Sequence, residues 1–575
     1  MNWCGYAGKI LNIDLGSGEI WNDNLNFADV EEYIGGMGLN CRLASKLIPP
    51  KVDPLSPDNP IIIGTGPLVG TIMPGASRTV AITKFPATRA IANSCGSMSF
   101  GYHLKQAGYD HIIIQSALNV PKYLLIDNNE IHIKSAENLW TKDIIEATDY
   151  LKRKYGDSGV IAIGQAGENL VSTAMTLIDK TSTFGRGGLA AILGSKKLKA
   201  IVVKGSTGIE ISNSKKFNKL YLKLINRIKT YSQRKSWIQL GMLRSLPIGM
   251  ILAAKGQKRK SKQCSERIYL KKIKSRRIAC PSCPMADKDI LKIEEGPYSG
   301  LKTYTSSVIN PFLMLTLDGL ETYDQAIKAF DQINRYGLDS LTITTLLQFL
   351  TKMNKEEILT EETTGFDWKM DYLSVRKLIE IITFRQGFGD LLADGWKALS
   401  DAYPELSQRM LTIKNLDVVF EPRFLRLGTM EFEQVVNPKG AHVASGGSPT
   451  YVGAGSSMKK FKNHFNRMGI PESAFKRLFT PPIKEMGIHV GRLTRYSEDW
   501  YTMLTSLGLC ARAQMNRFYS LDLITEFFRA ITGLEFTKED IREAAERTWN
   551  LLKLLNAKED FSRKDDKFPS EWFKS

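Results

Sequence analysis

The sequence predicts an α+β protein, with a β-rich N-terminal part followed by two mainly helical parts. Three observations carry this expectation. Short apolar runs bounded by turn residues recur through residues 1–206. Helical periodicity replaces them from about residue 212. A chain of 575 residues with 43% hydrophobic content can bury large cores without disulfide staples.

The apolar runs lie at 61–63, 111–114, 123–126, 160–163 and 201–203. The first follows Asp58-Asn59-Pro60 and precedes Gly64, and the third precedes Asp127-Asn128-Asn129, so turn residues bound both. Helical segments at 100–107 and 142–155 interrupt the series. Residues 324–336 place Ala326, Ile327, Phe330 and Ile333 on one helix face before Gly337, a good C-terminal stop. Residues 341–353, 375–384 and 391–402 continue the trend. The last part opens in an irregular Gly/Pro-rich stretch and ends in helices such as 538–555. These shifts divide the chain into 1–206, 207–415 and 416–575.

Lys and Arg number 78 against 60 Asp and Glu, a net charge of +18. Such a balance speaks of partners rather than fold. Residues 255–277 carry eleven Lys/Arg against one acid, Glu266. The stretch reads as a solvated loop or as a docking surface for an acidic protein. Its single aromatic, Tyr269, argues against nucleic acid, which needs stacking platforms. No apolar run approaches the ~18 residues of a membrane helix. The N-terminus lacks the basic-then-apolar pattern of a signal peptide. A cytoplasmic location is expected, with no membrane span, and a homo-oligomer is compatible with the sequence.

Seven cysteines in such a chain do not suggest a disulfide framework. Cys4, Cys41, Cys95 and Cys264 read as plain thiols. Cys280-Pro281-Ser282-Cys283 is a C-x-x-C pair ahead of Asp287, open to metal, cluster or non-metal readings. Zinc would need two more ligands, and no His lies within a hundred residues of the pair. An iron–sulfur cluster can take a remote Cys, for which Cys510 is a candidate. Gly64-Thr65-Gly66-Pro67-Leu68-Val69-Gly70 imitates a dinucleotide loop, but its spacing and Pro67 argue against one. Gly185-Arg186-Gly187-Gly188 has the wrong spacing for a P-loop, yet backbone N–H groups beside an arginine suit an anion.

Several blocks then occur in one order: Gly5-Tyr6-Ala7-Gly8-Lys9-Ile10-Leu11, Tyr33-Ile34-Gly35-Gly36-Met37-Gly38, Asp53-Pro54-Leu55-Ser56-Pro57, Ala107-Gly108-Tyr109-Asp110, Gly164-Gln165-Ala166-Gly167-Glu168-Asn169, and Gly194-Ser195-Lys196-Lys197-Leu198-Lys199-Ala200. With Gly185-Arg186-Gly187-Gly188 they resemble the aldehyde ferredoxin oxidoreductase family of tungsten–pterin enzymes along essentially the whole chain. The resemblance implies a pterin-binding β-rich base, two pyranopterins holding one tungsten or molybdenum, a nearby [4Fe–4S] cluster, and Mg2+ bridging the pterin phosphates. By this resemblance Arg78 is a phosphate-contacting arginine. Asn93, beside Ser94 and Gly96, supplies the backbone carbonyl that binds magnesium. Asp339, Gly508 and Leu509 belong to the pterin motifs, and Thr183, Gly185, Arg186 and Gly187 line the approach to the second pterin. Cys280, Cys283, Asp287 and Cys510 stand at the cluster positions.

The chain departs from the family pattern at several points. Asp287 stands where the family's third cluster cysteine is usual. Asn334 and Thr505 replace the aspartates that open the two pterin motifs. Thr181-Ser182-Thr183 lacks the usual arginine. His442, in Asn437-Pro438-Lys439-Gly440-Ala441-His442, matches the family's tungsten-side histidine. The glutamate of an E-G-P-E motif is missing, because Tyr298 follows Glu295-Gly296-Pro297, leaving Glu295 and Tyr298 as substitutes. The resemblance implies oxidation of an aldehyde to a carboxylate, with electrons leaving through the cluster to ferredoxin or a ferredoxin-like iron–sulfur small subunit. The tungsten subunit of a class II aryl-CoA reductase is the alternative, and a non-catalytic electron-transfer or assembly subunit is a third.

Overall fold

A computed structural model describes residues 3–244, 246, 248–419, 429–441, 458–478 and 489–573. Two six-stranded sheets form the N-terminal part. The first runs Ile20–Asn24, Lys9–Asp14, His111–Gln115, Ile61–Thr65, Thr79–Lys84, Ile91–Gly96. The second runs Ser182–Phe184, Thr176–Ile178, Gly159–Ala162, Leu198–Lys204, Lys122–Asp127, Glu130–Ser135. One pairing in each sheet is parallel, Lys9–Asp14 with His111–Gln115 and Leu198–Lys204 with Lys122–Asp127.

The triple-isoleucine runs explain how this platform carries helices on both faces. Side chains alternate along a strand. Ile61, Ile63, Ile112 and Ile114 point into the core shared with the middle helices. Ile62 and Ile113 point into the opposite core, shared with the C-terminal helices. With both faces buried, the strands read as continuous apolar runs rather than alternating ones. The α+β expectation holds, and the apolar runs at 61–63, 111–114, 123–126 and 201–203 fall on strands, as does 160–163 up to Ala162.

Two details differ from the sequence reading. The single helix expected over 391–402 is two short ones, Phe388–Ala393 and Trp396–Ala402, divided at Asp394-Gly395. The basic stretch 255–277 is not a loop. It folds into short helical turns and ends in strand Lys274–Ile278, which pairs with Lys288–Lys292, itself paired with Lys302–Thr305. The charged, mostly exposed pattern of Lys274–Ile278 concealed this small sheet from a hydrophobicity reading. Among the described residues no single helix is long and apolar enough to cross a membrane.

Candidate functional site

The cysteine segments meet through one glycine. Cys280–Cys283 is a tight turn between strands, closed by the Cys283 N–H on the Cys280 carbonyl at 3.1 Å. The Gly75 N–H donates to the Ser282 carbonyl at 3.1 Å, and the Cys510 N–H donates to the Gly75 carbonyl at 3.0 Å. Residues 280–283 and 510, far apart in sequence, thus hang on the same residue. Gly75 has φ +81°, and a Cβ there would lie 2.3 Å from the Tyr519 hydroxyl, so only glycine fits. Gly508 ends helix Val490–Leu507 in the left-handed region, and the Leu509 N–H returns to Leu504 at 2.7 Å. That turn aims Cys510 at the Cys280–Cys283 loop.

The cysteines and Asp287 form one electrostatic group. Burial pushes the Cys283 thiol well up, and the charges of Cys280, Asp287 and Cys510 push it further. Burial and Asp287 likewise raise Cys510. Asp287 goes the other way. Burial alone would raise its carboxyl, but Lys288 and Arg512 hold it down at about 2. Its Oδ2 accepts from Arg512 Nη1 at 2.7 Å and from Gln514 Nε2. Thiols crowded this way resist ionisation unless a metal takes the place of their protons. Among the described residues no three His, Cys, Asp or Glu side chains could hold a single metal ion. A cluster, whose ligands spread over several irons, suits the arrangement better than one ion.

A second, cationic group lies beside it. The Arg78 N–H donates to the Gly508 carbonyl at 3.0 Å, tying this arginine to the cysteine segment. Its Nη2 donates to the Tyr501 hydroxyl at 2.9 Å, and its guanidinium lies 5.1 Å from the Tyr501 ring centre. Asn93 Nδ2 donates to Cys95 Sγ at 3.3 Å, and the Tyr501 hydroxyl donates to the same sulfur at 3.3 Å. Ser94 Oγ donates to the Gly185 carbonyl at 2.9 Å. Gly96 closes the strand holding Asn93, and Thr183 sits mid-strand opposite Leu177. Arg186, on a left-handed turn with Gly187, donates to Asp417 Oδ2 at 3.0 Å and lies 4.0 Å from Asp339 Oδ2. Asp339 caps helix Ser340–Lys355 through Leu341 N–H, and burial raises its carboxyl.

The polar atoms left over describe what would bind. Arg78 Nε, Arg186 Nε and Nη1, Asp339 Oδ2 and Thr505 Oγ1 are buried without a hydrogen-bond partner among the described residues. Buried polar groups are ordinarily satisfied, so the cluster fits a large, polar, anionic group such as a pterin with its phosphate. Lys439 Nζ donates to the carbonyls of Asn93 at 3.2 Å and Gly185 at 3.0 Å. Burial pulls this ammonium down to about 7, and the charge of Arg186 adds to the effect. The carbonyl assigned to magnesium by resemblance therefore already carries a protein cation, and magnesium at that oxygen does not fit.

Most sequence-derived positions converge here: Cys280, Cys283, Asp287 and Cys510 on one side, and Arg78, Asn93, Ser94, Gly185, Arg186, Gly187, Asp339, Gly508 and Leu509 on the other. Glu295 does not join them. Its side chain is 78% exposed and faces Lys272, in the turn between two strands. Tyr298 lies in the same turn and packs edge-on against Tyr372. A carboxylate so open to water lacks the burial that tunes a catalytic acid, so the expected substitution by Glu295 is corrected. Asn334 is buried and donates to the Tyr304 carbonyl at 3.0 Å. His442 lies outside the described residues. Sequence reasoning missed Tyr501, Cys95, Lys439, Arg512 and Gln514. Only Lys439 had a signal, standing in the quoted segment that ends in His442.

Comparisons with known proteins bear on the family and the fold. Residues 10–205 match the model of the aldehyde ferredoxin oxidoreductase N-terminal domain, and residues 247–575 match that of its domains 2 and 3. A tungsten-containing aldehyde ferredoxin oxidoreductase of Pyrococcus furiosus is 27% identical, covering 99% of this chain and 91% of its own length. The WOR-like subunit of an aliphatic sulfonate oxidoreductase from the same organism is 28% identical over 68% of this chain and 66% of its own. Among solved structures, the active-site complex of benzoyl coenzyme A reductase with 1,5-dienoyl-CoA contains a chain similar in fold. That chain has a TM-score of 0.85 at 23% identity, with 99% of this chain and 92% of that one covered.

Proposed function

The chain belongs to the aldehyde ferredoxin oxidoreductase family, and we propose that it is an oxidoreductase that converts an aldehyde and water to a carboxylic acid, two protons and two electrons. The observation that carries this is the double hydrogen bond of Gly75, which brings the Cys280–Cys283 turn and Cys510 against Arg78. An electron-transfer ligand set and an anion-binding set then share one wall.

Arg78, Arg186 and Lys439 would hold the phosphates of a bis-pyranopterin. Asp339 Oδ2 and Thr505 Oγ1, buried and unpaired among the described residues, would receive its N–H and O–H groups. Cys280, Cys283 and Cys510 would hold a [4Fe–4S] cluster, with Asp287 as fourth ligand or beside the open iron, steadied by Arg512 and Gln514. When bound, tungsten or molybdenum supplies Lewis acidity and a two-electron sink, and the cluster passes electrons on singly. His442 would hydrogen-bond the carbonyl oxygen or carry its proton. Exposed Lys271, Lys272, Arg276 and Arg277 lead directly into the Cys280 turn. That basic surface suits an acidic ferredoxin or ferredoxin-like small subunit, steering its approach.

The loss of the E-G-P-E glutamate, with Glu295 at the surface, favours a second reading: the catalytic subunit of an aryl-CoA reductase-like complex. Anaerobically purified protein separates the two. Dye reduction driven by aldehydes supports the first. Inertness toward aldehydes, with electron transfer linked to an aryl-CoA thioester, supports the second.

A further inference from the structure

Lys439 is wholly buried, yet no carboxylate among the described residues lies within ion-pair distance of its ammonium. Burying a charge without a counter-ion is strongly unfavourable. The group is therefore set for an anion that the described residues do not provide. An ammonium has three N–H donors and no acceptor. Two are used on the Asn93 and Gly185 carbonyls, at 3.2 and 3.0 Å. The Phe85 ring lies 4.1 Å from the nitrogen and shields it from water. Among the described residues the third donor has no hydrogen-bond acceptor, and it remains for a ligand.

The Gly185 carbonyl belongs to the turn that carries Arg186, and the Asn93 carbonyl to strand Ile91–Gly96, which pairs with the strand that directly follows Arg78. Gly187 leaves room for the lysine, since a Cβ there would stand 2.8 Å from Lys439 Cε. The neighbouring Thr181-Ser182-Thr183 has no arginine of its own, so Lys439 brings positive charge to that approach. A divalent cation bound to the same two carbonyls would sit against the ammonium and be repelled. We propose that the Lys439 ammonium is the cation that neutralises the phosphate ends of the bound pterin, in place of a bridging magnesium ion. This inference rests on the pterin reading above.

The test is elemental and needs no turnover. Purified holoprotein is passed through a chelator-containing column, and tungsten, magnesium and released pterin are measured. The expected result is tungsten and pterin with magnesium far below one per tungsten. Lys439→Met should either lose pterin several-fold or gain magnesium to one per tungsten, while Lys439→Arg keeps pterin without magnesium. Chelator-resistant magnesium at one per tungsten in the unaltered protein would overturn the proposal and leave the pterin reading standing. So would a Lys439→Met protein with full pterin and no added magnesium. If Lys439→Met does not fold, the magnesium content of the unaltered protein decides alone. Absence of both tungsten and pterin would overturn the pterin reading and the inference together.

Discussion

The two halves of the site differ in the sign of what they lack. Around Cys280, Cys283 and Cys510, groups that become negative crowd together: burial and its neighbours' charges raise the Cys283 thiol, and burial and Asp287 raise that of Cys510. Around half-buried Arg78 and buried Arg186 and Lys439, cations gather, and among the described residues both arginines keep donors unpaired. The first half asks for positive charge, which iron would supply. The second asks for negative charge, which pterin phosphates would supply. Arg78 belongs to both, because its backbone holds the Gly508 turn and its side chain faces Tyr501. A protein's charge imbalance thus outlines the charge of its cofactors.

The largest effect should come from breaking the cysteine half. Cys510→Ala should lose the cluster, read as lost iron and lost electron flow to any acceptor. A full iron complement with an unchanged spectrum would remove Cys510 from the ligand set. Next comes proton handling. His442→Ala should lower turnover by about 10²–10⁴-fold, the usual worth of general acid–base help, while metal and pterin stay. Gly75→Ala should couple the halves in failure. Forcing a Cβ to φ +81° against Tyr519 strains the backbone by about 1–3 kcal/mol. A lower Tm with partial loss of iron is the expected pair of readings.

Smaller effects concern the surface and the core. Reversing Arg276 and Arg277 to Glu should slow reduction of an acidic ferredoxin but not of a small neutral dye. Added salt should act likewise, through a Debye length of about 10 Å at 0.1 M. Equal slowing of both acceptors would break the docking assignment. Asp318, remote from both halves in this account, offers a stability control. It is fully buried, with Thr344 Oγ1 donating to it at 2.9 Å, and burial pushes its carboxyl up to about 8. The folded state therefore keeps a proton that the unfolded chain releases near pH 4. Stability attributable to this group should fall as pH rises from about 4 to about 8. Asp318→Asn should flatten that fall and raise Tm at pH 8, and an unchanged pH slope would count against it.

What the sequence revealed follows from how local each signal is. Triple-isoleucine strands were legible because burial on both faces writes an unbroken apolar run. Helix 323–336 was legible from its period and its terminal Gly337. The strand Lys274–Ile278 was not, since its charged residues face water and imitate a loop. In the site, motif residues such as Arg78, Asn93 and Cys510 stood out by resemblance to a family. Tyr501 and Arg512 did not, because their roles arise only when helix Val490–Leu507 and its following turn meet strands hundreds of residues away. Lys439 lay in plain view within a segment read for its histidine. Its meaning depends on two carbonyls, from residues 93 and 185, that only the fold brings together.

One wall of the protein would carry an iron half and a phosphate half. Iron, tungsten, molybdenum and pterin phosphorus measured together on the purified protein test this most directly. The account predicts four irons and two pterins for each tungsten or molybdenum. Protein that is folded and fully occupied by neither, or that holds iron without any pterin, would contradict it.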